Sequence, residues 1–260
     1  MKKQLLLVGS RGILGRHIVQ FPQKDFDIVE FPSEVWDYKE KPKSGTTVVF
    51  MRAISSPYQA SMDAELSENI NVTKTQKLIE KFLNDSCRIL FASTDLVYGQ
   101  TGYLPVKENS KCNPYGVYAS QKHFIESKFH DVENFASMRF SLLYGTGSKL
   151  RREFQQGKPS EIPHPVIRMP IKAVEAAETV FALAWRSGPH FDLPDKTLNV
   201  GGRVPRTVFS LAKKEAKETR NMKPIKVSRE YQDKISRPGR VVMCSGLSRL
   251  IRNDRKRVSL

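Results

Sequence analysis

Cysteine is scarce in this chain, with three residues (Cys87, Cys112 and Cys244) in 260. An odd, widely spaced set builds no disulfide framework and shows no metal-site spacing, so reduced thiols in a cytoplasmic protein are the expectation. Long apolar runs are missing as well. No stretch reaches the roughly 18 apolar residues that a membrane span requires, so no membrane partner is expected. The run Leu5–Val8 ends after four residues at Gly9, too short for the apolar core of a secretory leader. The sequon Asn71-Val72-Thr73 carries no weight in such a setting. Acidic residues are the other shortage: 27 Asp and Glu face 43 Lys and Arg, a net charge of +16. What is present suffices for a core, since 39% of the residues are hydrophobic, and this excludes a disordered chain.

The positive charge is concentrated. Residues 201–260 carry 17 Lys and Arg against 5 Asp and Glu. Such a balance suits a polyanionic partner, be it nucleotide phosphates, nucleic acid or an acidic surface, and equally a solvated basic face.

Strand-like and helix-like stretches alternate through the first two hundred residues. Gln4–Val8, Phe26–Phe31, Thr46–Met51, Arg88–Ser93, Ala136–Leu143 and Thr197–Val200 read as strands. Arg16–Phe21, Ala64–Leu83, Tyr118–Phe129, Lys172–Ala184 and Phe209–Thr219 read as helices. This alternation predicts an α/β protein, a doubly wound parallel sheet with helices on both faces. Residues 144–170 hold four prolines and read as a loop-rich insert, and Arg252–Leu260 is too charged for core. The expected division is a Rossmann part at 1–143 that regains the chain at 166–203, and a small substrate-binding part built from 144–165 and 204–260.

Three motifs carry chemistry. Gly9-Ser10-Arg11-Gly12-Ile13-Leu14-Gly15 lies between the first strand and the first helix. Glycines there allow a tight turn and a close approach to a pyrophosphate, and the helix start offers free N–H groups. Tyr118-Ala119-Ser120-Gln121-Lys122 puts a phenol and an ammonium one helical turn apart. A cation so placed lowers a tyrosine pKa and makes Tyr118 a usable acid or base. Ser93-Thr94-Asp95-Leu96-Val97-Tyr98-Gly99 places hydroxyls at a strand's C-terminal end, where open parallel sheets bind ligands. Each has a plain alternative: an ordinary turn, an exposed helix face, or a Ser/Thr cap.

Together, in this order, the motifs resemble the extended short-chain dehydrogenase/reductases, the family of nucleotide-sugar epimerases, dehydratases and reductases. Asn71-Val72-Thr73-Lys74-Thr75, Met138-Arg139-Phe140-Ser141-Leu142-Leu143-Tyr144-Gly145 and Arg237-Pro238-Gly239-Arg240 extend the resemblance over about residues 3–250. Ser93-Thr94-Asp95 is most similar to the dTDP-4-dehydrorhamnose reductases, and Gly9-Ser10-Arg11-Gly12 to the GDP-fucose synthases. Two departures stand out: Met51-Arg52-Ala53 replaces the frequent Asn-Ala-Ala, and the region after Tyr144 is short.

The resemblance implies an NADP(H)-dependent reduction of a nucleotide-linked 4-keto-6-deoxy sugar. Thr94 would fix the carbonyl oxygen, with Ser93 a second candidate. Tyr118 would protonate that oxygen, and Lys122 would depress the Tyr118 pKa and hold the cofactor ribose. Gly9 to Gly15, Ser33 and Ala53 would contact the cofactor, with Arg11 facing the 2′-phosphate. Glu30 at the end of the second strand would instead fit NAD, and an NAD-dependent epimerase or dehydratase is the alternative enzyme. Leu96 after Asp95 argues against a dehydratase, which commonly carries Asp-Glu. A non-catalytic dinucleotide-binding regulatory protein is the alternative from another class. Arg203, Arg206, Arg237 and Arg240 are candidates for the substrate diphosphate, which would account for the basic charge without nucleic acid. Trp36 and Asp37 are candidates for the adenine. A homodimer through Ala64–Leu83 and Tyr118–Phe129 is implied by resemblance alone. His17, His123, His130, His164 and His190 lie at no ligand-like mutual spacing and read as surface or packing residues.

Overall fold

The computed structural model describes all residues except 1, 21–23, 33, 39, 157–160, 164, 187–190, 192, 220–224, 228–237, 259 and 260. Ser33, Arg237, His164 and His190 therefore lie outside the described residues.

Five strands come early: β1 (Lys3–Val8), β2 (Phe26–Phe31), β3 (Thr47–Phe50), β4 (Arg88–Thr94) and β5 (Phe135–Phe140). With Thr197–Val200 they form a six-stranded sheet in the order Thr197–Val200, β5, β4, β3, β1, β2. Every pairing in it is parallel. The expected doubly wound sheet is thus present, with strand ends within a residue of those read from the sequence except in β5, which ends at Phe140 rather than Leu143. The chain leaves β1 for β2 on one side and comes back to β3 on the other, so the sheet's switch point lies at the C-terminal end of β1.

Both faces of the sheet are apolar, as the continuous Leu/Val/Phe runs require of a sheet covered on both sides. One face packs Ile18 and Ala176–Ala184 from helices Ile13–Gln20 and Ala173–Trp185. The other packs Leu78, Ile79, Phe82 and Ile125 from helices Thr75–Asn84 and Val117–Lys128.

One expectation needs correction. The predicted helix over Ala64–Leu83 is helical from Ala64 to Asn84, but Asn69–Lys74 is a π-helical turn. That turn aims Asn71 inward, where its side chain bonds the N–H and C=O of Ile54 at 2.8 and 3.2 Å and Gln121 at 2.8 Å. A helix that was not read from the sequence, Gly246–Val258, leads into the charged C-terminal stretch. Its Ile251 is buried in the main core, and Arg252 donates to the Thr179 hydroxyl at 2.9 Å.

Three two-stranded pairs accompany the sheet: Leu143–Tyr144 with Ile171–Lys172, Glu161–Pro163 with Ile225–Val227, and Ile167–Arg168 with Arg206–Thr207. Helices Lys149–Gln155 and Val208–Glu218 close a small second core around Phe154, Ile162, Ala212 and Ala216.

Candidate active site

A cleft of about 310 Å³ opens at the C-terminal edge of the sheet, from the glycine turn to the helix that carries Tyr118. At one end it is lined by Gly9, Gly12, Ile13, Leu14 and Gly15, with Met51 and Ala53 from beyond β3. At the other end lie Ser93, Thr94, Tyr118 and Lys122. The fold thus brings together residues that are more than one hundred positions apart in the chain.

The glycine turn is shaped by backbone contact. Gly9 has φ +99, and a Cβ there would stand 2.7 Å from the backbone nitrogen of Arg52. A Cβ on Gly15 would stand 2.5 Å from Cα of Ser10. Glycine is needed at both, the first for conformation and both for close packing. Ser10 is buried against this turn and, like Arg11, lies outside the cleft lining. Arg11 is exposed and pairs with Glu34 at 2.9 Å. The acid beside the turn is therefore Glu34, while Glu30 is an exposed residue of β2.

Arg52, noted in the sequence only as a departure, packs its backbone against Gly9 of the turn. Its guanidinium lies 4.5 Å from the Trp36 ring centroid and donates to the carbonyls of Pro32 and Val35. Asp37 is committed to Lys81 and to the N–H of Tyr38.

At the other end, Tyr118 and Lys122 project from helix Val117–Lys128 with the expected spacing, and both are buried. Burial first, then the Asp95 carboxylate, holds the Tyr118 phenol above its ordinary range, while Arg168 pulls the other way. Lys122 gives its ammonium to the carbonyl oxygen of Ala92 at 2.7 Å. The expected lowering of the Tyr118 pKa by Lys122 is not realised in this arrangement. Burial pushes Lys122 itself down to about 7, against the charge of Glu126. Thr94 accepts from the N–H of Leu96 at 3.3 Å and donates to Asp95 at 3.4 Å. The capping role and the place in the cleft therefore coexist.

Sequence reasoning missed Arg168. It sits in the stretch read as a loop-rich insert, yet it lines the cleft and forms an ion pair with the fully buried Asp95. The signal was Asp95 itself, since an acid at the end of a central strand needs a cation when buried. Of the arginines proposed for a diphosphate, Arg203, Arg206 and Arg240 lie outside the lining, and Arg240 instead donates to Gly102 at 3.0 Å.

One cluster resembles a metal site. Ligand atoms of Cys112, His123 and Glu126 lie within 4.8 Å of one another, an arrangement that sequence spacing did not reveal. Arg139 occupies both Glu126 oxygens, at 2.8 to 3.2 Å, so a cation already fills the role a metal would take.

The RmlD substrate binding domain family matches residues 2–252. A Methanocaldococcus jannaschii protein described as a "Putative UDP-glucose 4-epimerase" is 26% identical over 172 residues, 54% of this chain and 56% of that protein. The chain thus aligns with just over half the length of that relative. The dTDP-4-dehydrorhamnose reductase of Bacillus anthracis, solved with NADP, superposes with a TM-score of 0.81 at 17% identity, covering 100% of each chain. The UDP-glucose 4-epimerase of Thermus thermophilus, solved with NAD, superposes at 0.73 and 16% identity, covering 95% of this chain and 92% of that one. At such identities the two structures establish the fold. The family match covers nearly the whole chain, and the chain belongs to the RmlD substrate binding domain family, within the extended short-chain dehydrogenase/reductases.

Proposed function

We propose that the protein is an NADP(H)-dependent reductase of a nucleotide-linked sugar, acting on the keto group of a 4-keto-6-deoxy sugar. The observation that carries this reading is the single cleft in which the glycine turn, Thr94, Tyr118 and Lys122 meet. The turn suits a dinucleotide: Gly9 and Gly15 let it pack close on the backbone of Arg52 and Ser10, and Gly12, at the start of a helix, lines the cleft without a side chain. Gly9, Gly12, Ile13, Leu14, Gly15 and Ala53 would line the cofactor, with Ser10 supporting the turn and Arg11 turning to its 2′-phosphate. Bound there in reduced form, the nicotinamide supplies a hydride to a carbonyl carbon.

The chain's own residues do the rest. Tyr118, a phenol that burial holds above its ordinary range and so keeps protonated well past neutral pH, gives its proton to the carbonyl oxygen. Thr94 offers a second hydrogen bond to that oxygen and orients it. Lys122 stands one turn from Tyr118 and would engage the cofactor ribose. The segments 144–165 and 204–260 would hold the sugar and its nucleotide.

The test is a fluorescence titration with NADPH and with NADH, followed by turnover of a 4-keto-6-deoxy nucleotide sugar. Tight NADPH binding and turnover that falls about a thousandfold or more in Tyr118→Phe are expected. NADH preference together with interconversion of UDP-sugar epimers would assign the protein to the epimerases instead. A protein that binds neither dinucleotide is not an enzyme of this kind.

A further inference from the structure

We infer that Arg168, clamped by Asp95, is a positioning residue for the proton donor and the hydroxyl at this site. The inference rests on the assignment of Tyr118 and Thr94 above. Arg168 donates through Nε to Oδ2 of Asp95 at 3.1 Å and through Nη2 to Oδ1. Their side chains are 9% and 0% exposed. Two parallel N–H donors on two oxygens is the geometry of an ionised carboxylate.

A pair this deep is a poor source of stability, because removing two charges from water offsets most of their attraction. Its place in the cleft wall is better explained by what it does to its neighbours. Among the described residues, two charged groups bear on Tyr118: Asp95 after β4 and Arg168 from the Ile167–Arg168 strand. Lys122 is turned to Ala92. The balance at the phenol is therefore set by Asp95, which opposes ionisation, and by Arg168, which favours it.

Thr94 gives the second reason. Its hydroxyl has one hydrogen, and that hydrogen can go to Asp95 or to a substrate oxygen. Arg168 engages both Asp95 oxygens, and the Thr94 contact to Asp95 is long, at 3.4 Å. The hydrogen is thereby left available to the substrate. The arginine is well anchored for this task. Ile167 donates to Gly239 at 2.9 Å and accepts from Val241 at 2.9 Å, and Met169 donates to the Ser141 hydroxyl at 3.2 Å.

The experiment places a fluorinated tyrosine at position 118, whose more acidic phenol titrates in an accessible range, and follows it by fluorine NMR without any substrate. Arg168→Gln is expected to move that titration up, and Asp95→Asn to move it down, each by about one pH unit or more. The double variant, which carries neither charge, and Arg168→Lys, which keeps the cation, are expected to stay near the parent. Shifts in one common direction, or none, overturn the inference, as a merely structural role would give. If Arg168→Gln alone fails to fold, Asp95→Asn and the double variant still decide it. Turnover is read in parallel, with a loss of tenfold or more expected for Arg168→Gln and partial recovery in the double variant. Opposite phenol shifts in a protein that turns over no nucleotide sugar would sink the proposed reaction and leave the charge balance established.

Discussion

Lys122 hands its ammonium to the carbonyl oxygen of Ala92 at 2.7 Å, with the Phe91 ring centroid 4.4 Å away. Buried so, it is held near 7, whereas an unfolded chain keeps such an amine protonated up to about 10.4. Between those values the unfolded state binds more protons, so raising the pH through that window stabilises the folded state. The gain is at most about 1.4 kcal/mol per pH unit. Urea unfolding of the wild type and of Lys122→Met at several pH values between about 7 and 9 checks this. The wild type should gain stability with pH relative to the variant; parallel curves would mean that the amine is solvated.

The exposed Arg11–Glu34 pair makes a prediction about cofactor choice. Its side chains are 74% and 72% exposed, so the pair itself is worth at most about 1 kcal/mol and opens readily. If Arg11 turns to a 2′-phosphate, Arg11→Ala weakens NADPH binding about tenfold or more and leaves NADH within about twofold. Glu34→Gln removes a competing carboxylate and should tighten NADPH. Equal losses for both dinucleotides in Arg11→Ala would remove the arginine from cofactor selection.

The Glu126–Arg139 pair beneath the site predicts a stability effect. Glu126 accepts from Arg139 on both oxygens, and Arg139 also donates to the Tyr98 hydroxyl at 2.8 Å and to the Glu108 carbonyl at 3.0 Å. Burial pushes the Glu126 carboxyl up, but His123 and Arg139 together hold it below its ordinary range. Arg139→Met leaves a buried carboxylate without its cation and should cost about 3–5 kcal/mol. Adding Glu126→Gln should recover part of that loss in a denaturant series. Simple additivity would show that the two side chains are not coupled.

These cases also mark what the sequence could and could not disclose. The strand–turn–helix at Val8–Ile13, the Tyr118–Lys122 spacing and the strand-end hydroxyls were legible because each is local, set by periodicity or by glycine. Arg168 was not, because its partner Asp95 is 73 residues away and its own surroundings read as loop. The π-helical turn at Asn69–Lys74 escaped for a related reason: nothing in its sequence breaks a helix, and only the contacts of Asn71 with Ile54 and Gln121 account for it. The helix Gly246–Val258 was hidden by charge, since Leu247 and Ile251 pack on the core without a strong apolar run.

The glycine turn separates architecture from binding. A Cβ on Gly15 would stand 2.5 Å from the Ser10 backbone, where nothing flexible can yield. Gly15→Ala should therefore strain the turn and lower stability by about 1–3 kcal/mol, with dinucleotide binding lost in consequence. Gly12 differs, for its added Cβ would meet only the Gly9 carbonyl oxygen, at an ordinary 3.6 Å. Because Gly12 lines the cleft, Gly12→Ala should fold with unchanged stability and still bind NADPH more weakly, its methyl group standing where a phosphate approaches the backbone. Thermal unfolding and NADPH titration of the two variants measure the two effects apart. Undiminished binding by a well-folded Gly12→Ala would remove this turn from the cofactor site.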